Sequence, residues 1–231
     1  MGSKFKIIIE DLDAILKRDP ATRSRTEALL CSSGFHCIVI HRFAHALWKR
    51  NFRLTARIIS QIARFLTGIE IHPGARVGRG FFIDHGAGVV IGETTEIGSN
   101  VTLYHDVTLG GTTVFDKNGK VTAKRHPTIG DNVIIGSGAQ VLGPIKIGKN
   151  AKIGSNAIVV KDVPADTTVV GMAAHKVEAL KKEQQKCFCA YGIDSNAPDP
   201  LENKLKEMTA ELAALRRELN ELKNGNNTNA K

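Results

Sequence analysis

Two stretches of this 231-residue chain place side chains that move protons where an otherwise regular pattern breaks. One is Asp84-His85-Gly86-Ala87-Gly88. The other opens at Gly110-Gly111-Thr112 and closes at Lys124-Arg125-His126-Pro127. An imidazole titrates near neutral pH, so a histidine in either stretch can take a proton from a weakly acidic group and hand it on. Glycines such as Gly110 and Gly111 let main-chain N–H groups approach a ligand closely, which suits them to meeting a developing oxyanion. Other titratable groups compete for attention. His36, His41 and His45 fall on one predicted helix. His41 and His45, four residues apart, share a face that is either a metal-binding pair or a packed, hydrogen-bonded surface. His72 and His105 read as corner residues or as side chains lining the cleft. Cys187-Phe188-Cys189 has ligand chemistry, but no second pair lies at metal-binding spacing. Together with Cys31 and Cys37 these are expected to be free thiols.

The pattern that breaks is a six-residue period. Ile71, Val77 and Ile83 start it. Ile91, Ile97, Leu103 and Leu109 continue it, and Ile129, Ile135, Val141, Ile147, Ile153 and Val159 complete it. Glycine often follows the aliphatic residue, as in Ile91-Gly92, Ile135-Gly136 and Ile153-Gly154. A hexapeptide period marks a parallel β-helix, in which each repeat is a short strand plus a corner and the aliphatic anchor points inward. Three repeats close one triangular coil, and stacked coils share one apolar column. The first break is a two-residue slip between Ile83 and Ile91. The second separates Leu109 from Ile129, a length of one coil plus two residues, with Asp116-Lys117-Asn118-Gly119 as a turn in an external loop. Sites tend to sit where a regular scaffold yields, and both breaks carry a histidine.

Before the repeats, apolar residues at helical spacing recur in 5–16, 35–48 and 54–66, which predicts a helical domain over 1–66 and a β-helix over 67–178. Asp19-Pro20 reads as a helix start, with Asp19 as cap and Pro20 at the first position. Residues 179–200 read as tail and linker. From Leu201 to Leu222 leucines and Met208 recur with alternating gaps of four and three, a heptad seam that predicts a coiled-coil helix over 201–223 or else a single amphipathic helix lying on the body. Residues 224–231 are expected to be disordered. A hydrophobic content of 42% supports a real core, and an aromatic content of 5% suits many short β corners lined by Ile, Val and Leu. The net charge of +9 favours a polyanionic ligand. Without basic runs interleaved with aromatics, a phosphorylated cofactor fits better than nucleic acid. The apolar run Ile7–Ile9 is too short for a signal peptide, Lys6 stands where a myristoylation signal wants Ser or Thr, and no stretch is long enough to span a membrane. A cytoplasmic location is the default.

Over 19–178 the chain resembles the serine acetyltransferase family. The resemblance is carried by Asp19-Pro20-Ala21, Gly34-Phe35-His36, His41-Arg42, Ile71-His72-Pro73-Gly74-Ala75, Asp84-His85-Gly86, Val90-Ile91-Gly92-Glu93-Thr94, Val107-Thr108-Leu109-Gly110-Gly111-Thr112 and Arg125-His126-Pro127. It implies a left-handed parallel β-helix with a short N-terminal α-helical domain. It implies transfer of an acetyl group from acetyl-CoA to the hydroxyl of L-serine by direct attack, the first step of cysteine biosynthesis. His85 would be the general base, oriented by Glu70, where many relatives carry Asp. Arg125 and His126 would hold the serine carboxylate, and Asp19 and Asp84 its ammonium. Acetyl-CoA would lie in the groove between neighbouring β-helices, against Gly110, Gly111, Thr112, Ser137, Gly138, Ala139, Lys152, Gly154 and Ser155. No metal is expected.

The resemblance further implies a homotrimer with sites between subunits, since the helical region through which relatives pair trimers is short here. It implies L-cysteine as a feedback inhibitor at the serine site. The chain ends Thr228-Asn229-Ala230-Lys231, without the terminal Ile by which relatives engage O-acetylserine sulfhydrylase, so that complex is not expected. Three other readings remain open. An acetyltransferase for a sugar or antibiotic hydroxyl would share the scaffold. A trimeric β-helix metalloenzyme resembling γ-class carbonic anhydrase would gather three histidines on zinc, and His72, His85, His105 and His126 permit the count. A non-catalytic scaffold would be indifferent to loss of His85.

Overall fold

The computed structural model describes residues 2–113, 124–171 and 208–217. The chain divides into two units, Met1–Met172 and Ala173–Lys231. In the first, four helices precede a column of short strands: α1 (Gly2–Arg18), α2 (Arg25–Cys31), α3 (Ser33–Trp48) and α4 (Arg53–Thr67). The expected helix start at Asp19 is not there. Asp19 instead closes a turn, its Oδ1 accepting from the Ala21 N–H at 2.8 Å and its Oδ2 from the Thr22 hydroxyl at 2.6 Å. The next helix starts at Arg25, because Ser24 caps it: Ser24 Oγ accepts from Glu27 N at 3.1 Å, while Glu27 Oε2 reaches back to Arg23 N at 2.8 Å. That exchange satisfies two backbone donors at once, which a cap at Asp19 could not do for this helix.

The strands are β1 (Glu70–Ile71), β2 (Arg76–Val77), β3 (Phe82–Ile83), β4 (Val90–Ile91), β5 (Glu96–Ile97), β6 (Thr102–Leu103), β7 (Thr108–Gly110), β8 (Thr128–Ile129), β9 (Ile134–Ile135), β10 (Gln140–Leu142), β11 (Lys146–Ile147), β12 (Lys152–Ile153), β13 (Ile158–Val159) and β14 (Thr168–Val169). They form three parallel sheets, one per side of a left-handed β-helix. Sheet 1 is β1-β4-β7-β10-β13, sheet 2 is β2-β5-β8-β11 and sheet 3 is β3-β6-β9-β12-β14. The register stacks like on like: Ile71, Ile91, Leu109, Val141 and Val159 form one column, and Ile83, Leu103, Ile135 and Ile153 another. These anchors are buried in one continuous core. Leu109 and Ile129 lie on consecutive strands, β7 and β8, so the second break is an excursion from one corner and not an extra coil.

The corners define three edges. The first edge joins sheet 3 to sheet 1, the second joins sheet 1 to sheet 2, and the third joins sheet 2 to sheet 3. Left-handed backbone at the corners is taken by Asn100, Asn132, Asn150, Asn156, Asp106 and Asp166, residues that tolerate positive φ. The helices seal the N-terminal end. Asp11, fully buried, accepts from Arg42 Nε at 2.7 Å and Nη2 at 3.0 Å. Arg18 Nη1 donates to the carbonyls of Gly80 and Val101, fastening α1 to the first coils. At Gly34 a Cβ would run into the Ile83 carbonyl, so α3 comes as close to β3 as only glycine permits.

In the second unit, residues 208–217 are helical. Met208, Leu212 and Leu215 recur there with the four-three spacing of the expected seam and are exposed. The tail at 179–200, the Cys187 and Cys189 pair, the turn at 116–119 and residues 224–231 lie outside the described residues.

Candidate active site

His85 occupies the first edge, in the slip between β3 and β4. Its backbone is left-handed, with φ of 60°. Among the described residues, aspartates and asparagines hold the other non-glycine left-handed corners of the β-helix, so a histidine here marks a corner kept for its side chain. Local contacts hold it in place. The Gly86 N–H donates to the Asp84 carbonyl at 2.7 Å, and the Ser33 hydroxyl, on the first turn of α3, donates to the His85 carbonyl at 3.1 Å. Gly86 has φ of 78°, and Ile69 fills the space a Cβ would need. The imidazole stands 78% exposed, with Nε2 3.8 Å from Asp84 Oδ1. The His105 ring, one coil on, meets it edge-on at 6.2 Å between centroids.

Asp19 projects towards the same place from the turn after α1. Its carboxyl is held below the usual range, first by the Thr22 hydroxyl, then against the opposing effect of burial by the Ala21 and Thr22 N–H groups, and last by the charge of His85. Asp19, Asp84, His85 and His105 thus share the first edge. Glu70 leads sheet 1, and its Oε2 pairs with Arg64 Nη1 at 2.9 Å. The carboxylate paired with the His85 ring among the described residues is that of Asp84.

The second edge holds a different cluster. His126 is buried, its ring slotted where a Cβ on Gly92 would collide with it. A Cβ on Gly111 would lie 2.9 Å from its Nε2. Thr94 grips the other side of the ring: its N–H donates to Nδ1 at 3.2 Å and its hydroxyl lies 2.9 Å from the same atom. Arg125 lies against Gly111, with Nη2 3.8 Å from Glu93 Oε2. The Thr112 N–H donates to the Arg125 carbonyl at 3.1 Å, and the Gly143 N–H to that of Gly110 at 3.0 Å. His72 accepts from Gly74 N at Nδ1, 3.0 Å, and meets Trp48 edge-on at 5.0 Å. Burial, followed by the charge of Arg57, holds His72 down to about 4. His126 is also lowered, by burial first and then by Arg125. Burial likewise lowers Lys124. An anion docking here would meet the cation Arg125 beside two rings that burial disfavours as cations. A cavity of about 310 Å³ adjoins the cluster, lined by Trp48, Gly74, Arg76, Glu93, Thr94 and Lys124 among others. A larger one of about 770 Å³, between α1 and α3, holds none of the predicted site residues.

The predicted acetyl-CoA contacts divide between the edges. Gly110, Gly111 and Thr112 belong to the second. Ser137, Gly138, Gly154 and Ser155 continue the first edge beyond His105: Gly138 N donates to the His105 carbonyl at 3.0 Å, and the Ser137 hydroxyl donates to Ser155 Oγ at 3.2 Å. Lys152 is exposed on sheet 3. Ala139 lies one residue before β10 with its side chain fully buried in the core, so a contact it makes with acetyl-CoA is through its main chain.

Sequence reasoning assigned no role to Thr94, Glu93 or Ser33. The Gly92-Glu93-Thr94 stretch was a visible signal, but nothing local showed that Thr94 faces His126 from 32 residues away. The helix histidines form a packed surface. His45 Nδ1–H donates to the Pro73 carbonyl at 2.8 Å, and His41 is buried beside it. Among the described residues no group of three or more His, Cys, Asp or Glu is placed to hold a metal. His85 and His105 lie on the first edge, while His72 and His126 lie on the second. No helix of the described residues is long and apolar enough to cross a membrane.

Comparison with known proteins adds an independent line. Residues 3–39 match the family described as serine acetyltransferase, N-terminal, and residues 126–161 match the bacterial transferase hexapeptide (six repeats). A serine acetyltransferase of Bacillus licheniformis is 50% identical over 215 residues, covering 93% of this chain and 95% of that protein. The crystal structure of Neisseria gonorrhoeae serine acetyltransferase in complex with serine superposes with a TM-score of 0.68 at 42% identity, covering 74% of this chain and 68% of that one. Serine acetyltransferase isoform 3 of Entamoeba histolytica, in complex with cysteine, gives a TM-score of 0.68 at 39% identity, over 78% of this chain and 62% of that one.

Proposed function

The chain belongs to the serine acetyltransferase family, and from that premise we propose that it carries out the transfer with His85 as general base, in a site completed by a second copy of the chain. The observation that supports this reading is the division of the polar side chains between two edges of one prism. Asp19, Asp84 and His85 stand on the first edge; Arg125 and His126 stand on the second. The width of sheet 1 separates them, roughly 15–20 Å of extended chain at about 3.3 Å per residue. Serine is only a few ångströms across. No single copy can hold its ammonium and its carboxylate with these groups.

Three copies with sheet 1 facing a common axis would set the first edge of each against the second edge of the next. The outward residues of sheet 1 suit an interface: Glu70, Val90, Thr108, Gln140 and Ile158, of which the one charge is paired with Arg64. Sheet 2 presents Arg76, Glu96 and Lys146 instead, and Phe82 and Thr102 of sheet 3 are already covered. The exposed apolar stripe of α4, Leu54, Ile58, Ile62 and Phe65, adjoins sheet 1 through Arg64 and extends the same surface.

Within that composite site the reaction balances simply. Asp19 and Asp84 receive the ammonium; Arg125, with its planar fork, and His126 receive the carboxylate. The exposed imidazole of His85 takes the proton of the serine hydroxyl as its oxygen attacks the thioester carbon. The tetrahedral oxyanion is met by N–H groups at Gly110 and Gly111 of the facing copy. The carbon–sulfur bond then breaks, and the imidazolium returns its proton to the CoA sulfur. Glu70, whose Oε2 pairs with Arg64, would have to turn Oε1 towards the ring to orient and stabilise the imidazolium as the family resemblance implies. Ser137, Gly138, Gly154 and Ser155 flank the groove in which the CoA chain would lie, with Lys152 at its side. Cysteine would satisfy the same ammonium and carboxylate contacts and so compete with serine.

The test is CoA thiol release from acetyl-CoA with L-serine, comparing wild type with His85→Ala. Serine-dependent release that falls by about 10²–10⁴ in the variant supports the base assignment. Release that survives discards it.

A further inference from the structure

We infer that Thr94 is the positioning residue of the carboxylate half-site, fixing His126 in the tautomer that carries its proton on Nε2. The inference rests on the assignment of Arg125 and His126 to the serine carboxylate.

The argument begins with an atom whose role is not free. The Thr94 main-chain N–H points at His126 Nδ1 at 3.2 Å, and a main-chain N–H can only donate. Nδ1 must therefore present a lone pair, so in the neutral ring the proton sits on Nε2. The Thr94 hydroxyl, 2.9 Å from the same Nδ1, must then donate to it as well. That leaves the hydroxyl oxygen as an acceptor, and two donors reach it: Arg125 N and His126 N, each at 3.2 Å. The hydroxyl's one proton and two lone pairs are all used. The Thr94 carbonyl adds a further tie, accepting from Lys124 Nζ at 2.6 Å. One residue thus holds the side chain of Lys124, the backbone of Arg125 and both the backbone and ring of His126.

The consequence lies at the other end of the ring. Nε2 points to the slot between Gly92 and Gly111, where neither residue has a side chain to fill the space. A neutral ring with its proton there offers one directed donor beside the guanidinium of Arg125. Two donors on Nδ1 also favour the neutral ring over the imidazolium, because a protonated Nδ1 would face the Thr94 N–H without a lone pair. Recognition of the carboxylate at this edge then comes from one fixed cation and one neutral donor, whose geometry Thr94 sets. The ring of the other tautomer would present a lone pair to the carboxylate and repel it.

The experiment uses the full-length enzyme with ¹⁵N-labelled histidine, the His126 resonances being assigned with His126→Asn, and steady-state kinetics for both substrates. In wild type, Nδ1 is expected to show the shift of an unprotonated nitrogen and Nε2 that of a protonated one. Thr94→Val keeps the main-chain donor but deletes the hydroxyl, leaving the exposed Arg125 N–H and the part-buried His126 N–H without their acceptor. It is expected to raise the KM for serine by about tenfold, with the KM for acetyl-CoA unchanged, and to shift the Nδ1 resonance as one of its two donors is lost while Nε2 stays protonated. Thr94→Ser is expected to restore both. Should Thr94→Val fail to fold, Thr94→Ala deletes the hydroxyl together with the γ-methyl and introduces no new group. Wild-type His126 protonated on Nδ1 overturns the inference without any variant. So does a folded Thr94→Val enzyme whose serine KM stays wild-type while Arg125→Ala raises it. Serine KM unchanged in Arg125→Ala too would place the failure in the carboxylate assignment, since that variant leaves Thr94 intact.

Discussion

Co-expression of two inactive chains, His85→Ala and Arg125→Ala, is expected to restore activity that neither has alone. The proposed trimer sets the size of the effect. His85 stands on the first edge and Arg125 on the second, so one chain never supplies both to one site. An intact site forms where an Arg125→Ala chain presents its unaltered first edge to the unaltered second edge of a His85→Ala chain. With equal, random incorporation each condition holds half the time, so about a quarter of all sites in the mixture are intact, and the trimers built from one chain type alone have none. The background against which this is read is low. Loss of a general base costs about 10²–10⁴ in rate, and loss of a charged hydrogen-bonding partner of the carboxylate raises the serine KM by an order of magnitude or more. The chains would carry different affinity tags, the mixed species would be purified through both, and CoA release would be followed at serine near the wild-type KM, where the raised KM of Arg125→Ala keeps its own turnover low. Purification through both tags removes the single-type trimers, and every trimer that remains has one intact interface in three, so recovery rises to about a third of wild type. Mixed trimers of verified composition that show only the parental background would refute the composite site. The two half-sites would then have to close within one chain, which the width of sheet 1 forbids without unwinding a coil.

Three further outcomes follow from the packing. Gly92→Ala places a Cβ on the His126 ring, so it is expected to raise the serine KM and lower the thermal midpoint together, with acetyl-CoA binding spared; kinetics with each substrate varied, plus a melting curve, check this. His41 is buried, and burial, then His45 and Arg42, holds it down to about 3. The unfolded chain takes up that proton near its ordinary value of about 6.5, the folded chain only near 3, so stability is complete above that ordinary value and falls as the pH drops. Urea midpoints should decline across that window, and His41→Gln should flatten the decline by nearly one proton per chain. Arg42→Ala strands the fully buried carboxylate of Asp11 and is expected to cost about 3–5 kcal/mol by denaturant unfolding.

The β-helix was legible because its code is local. Each hexapeptide carries its own inward anchor and its own corner, so the column Ile71–Ile91–Leu109–Val141–Val159 could be read without knowing which coil touches which. The helices were legible in extent and not in orientation. The spacing of Leu54, Ile58, Ile62 and Phe65 marks an amphipathic helix, and the ordinary inference would turn that face inward. The structure buries the small residues Ala56, Ser60 and Ala63 instead, because α4 lies close against the first coil and only small side chains fit there. The apolar face is then left for another surface, a choice that depends on assembly and leaves no mark in the periodicity. The ion pair of Asp11 with Arg42 was equally invisible, since 31 residues and two turns separate its partners.

The site shows the same division more sharply. A break in the period locates His85 and His126, because a break is itself a local signal. What each side chain meets is decided by register across coils, and the two breaks alter that register. Ile147 lies 18 residues beyond its partner Ile129, the spacing of a regular coil. Arg76 instead faces Glu96, and Glu96 faces Thr128, so the offset between successive coils is 20 residues at the first break and 32 at the second. Thr94 meets His126 only because of that second offset. Extrapolating the regular coil would have set a residue near 112 opposite Thr94, and the hydroxyl that grips the His126 ring would have read as an ordinary corner threonine. The same reasoning explains Ala139. It follows Gly138 by one position, but that step carries the chain from corner to strand and turns the side chain into the core. At the edges of a β-helix, residue type states what chemistry is available. The excursions between repeats decide which of those groups can act on one another, and across how many copies of the chain.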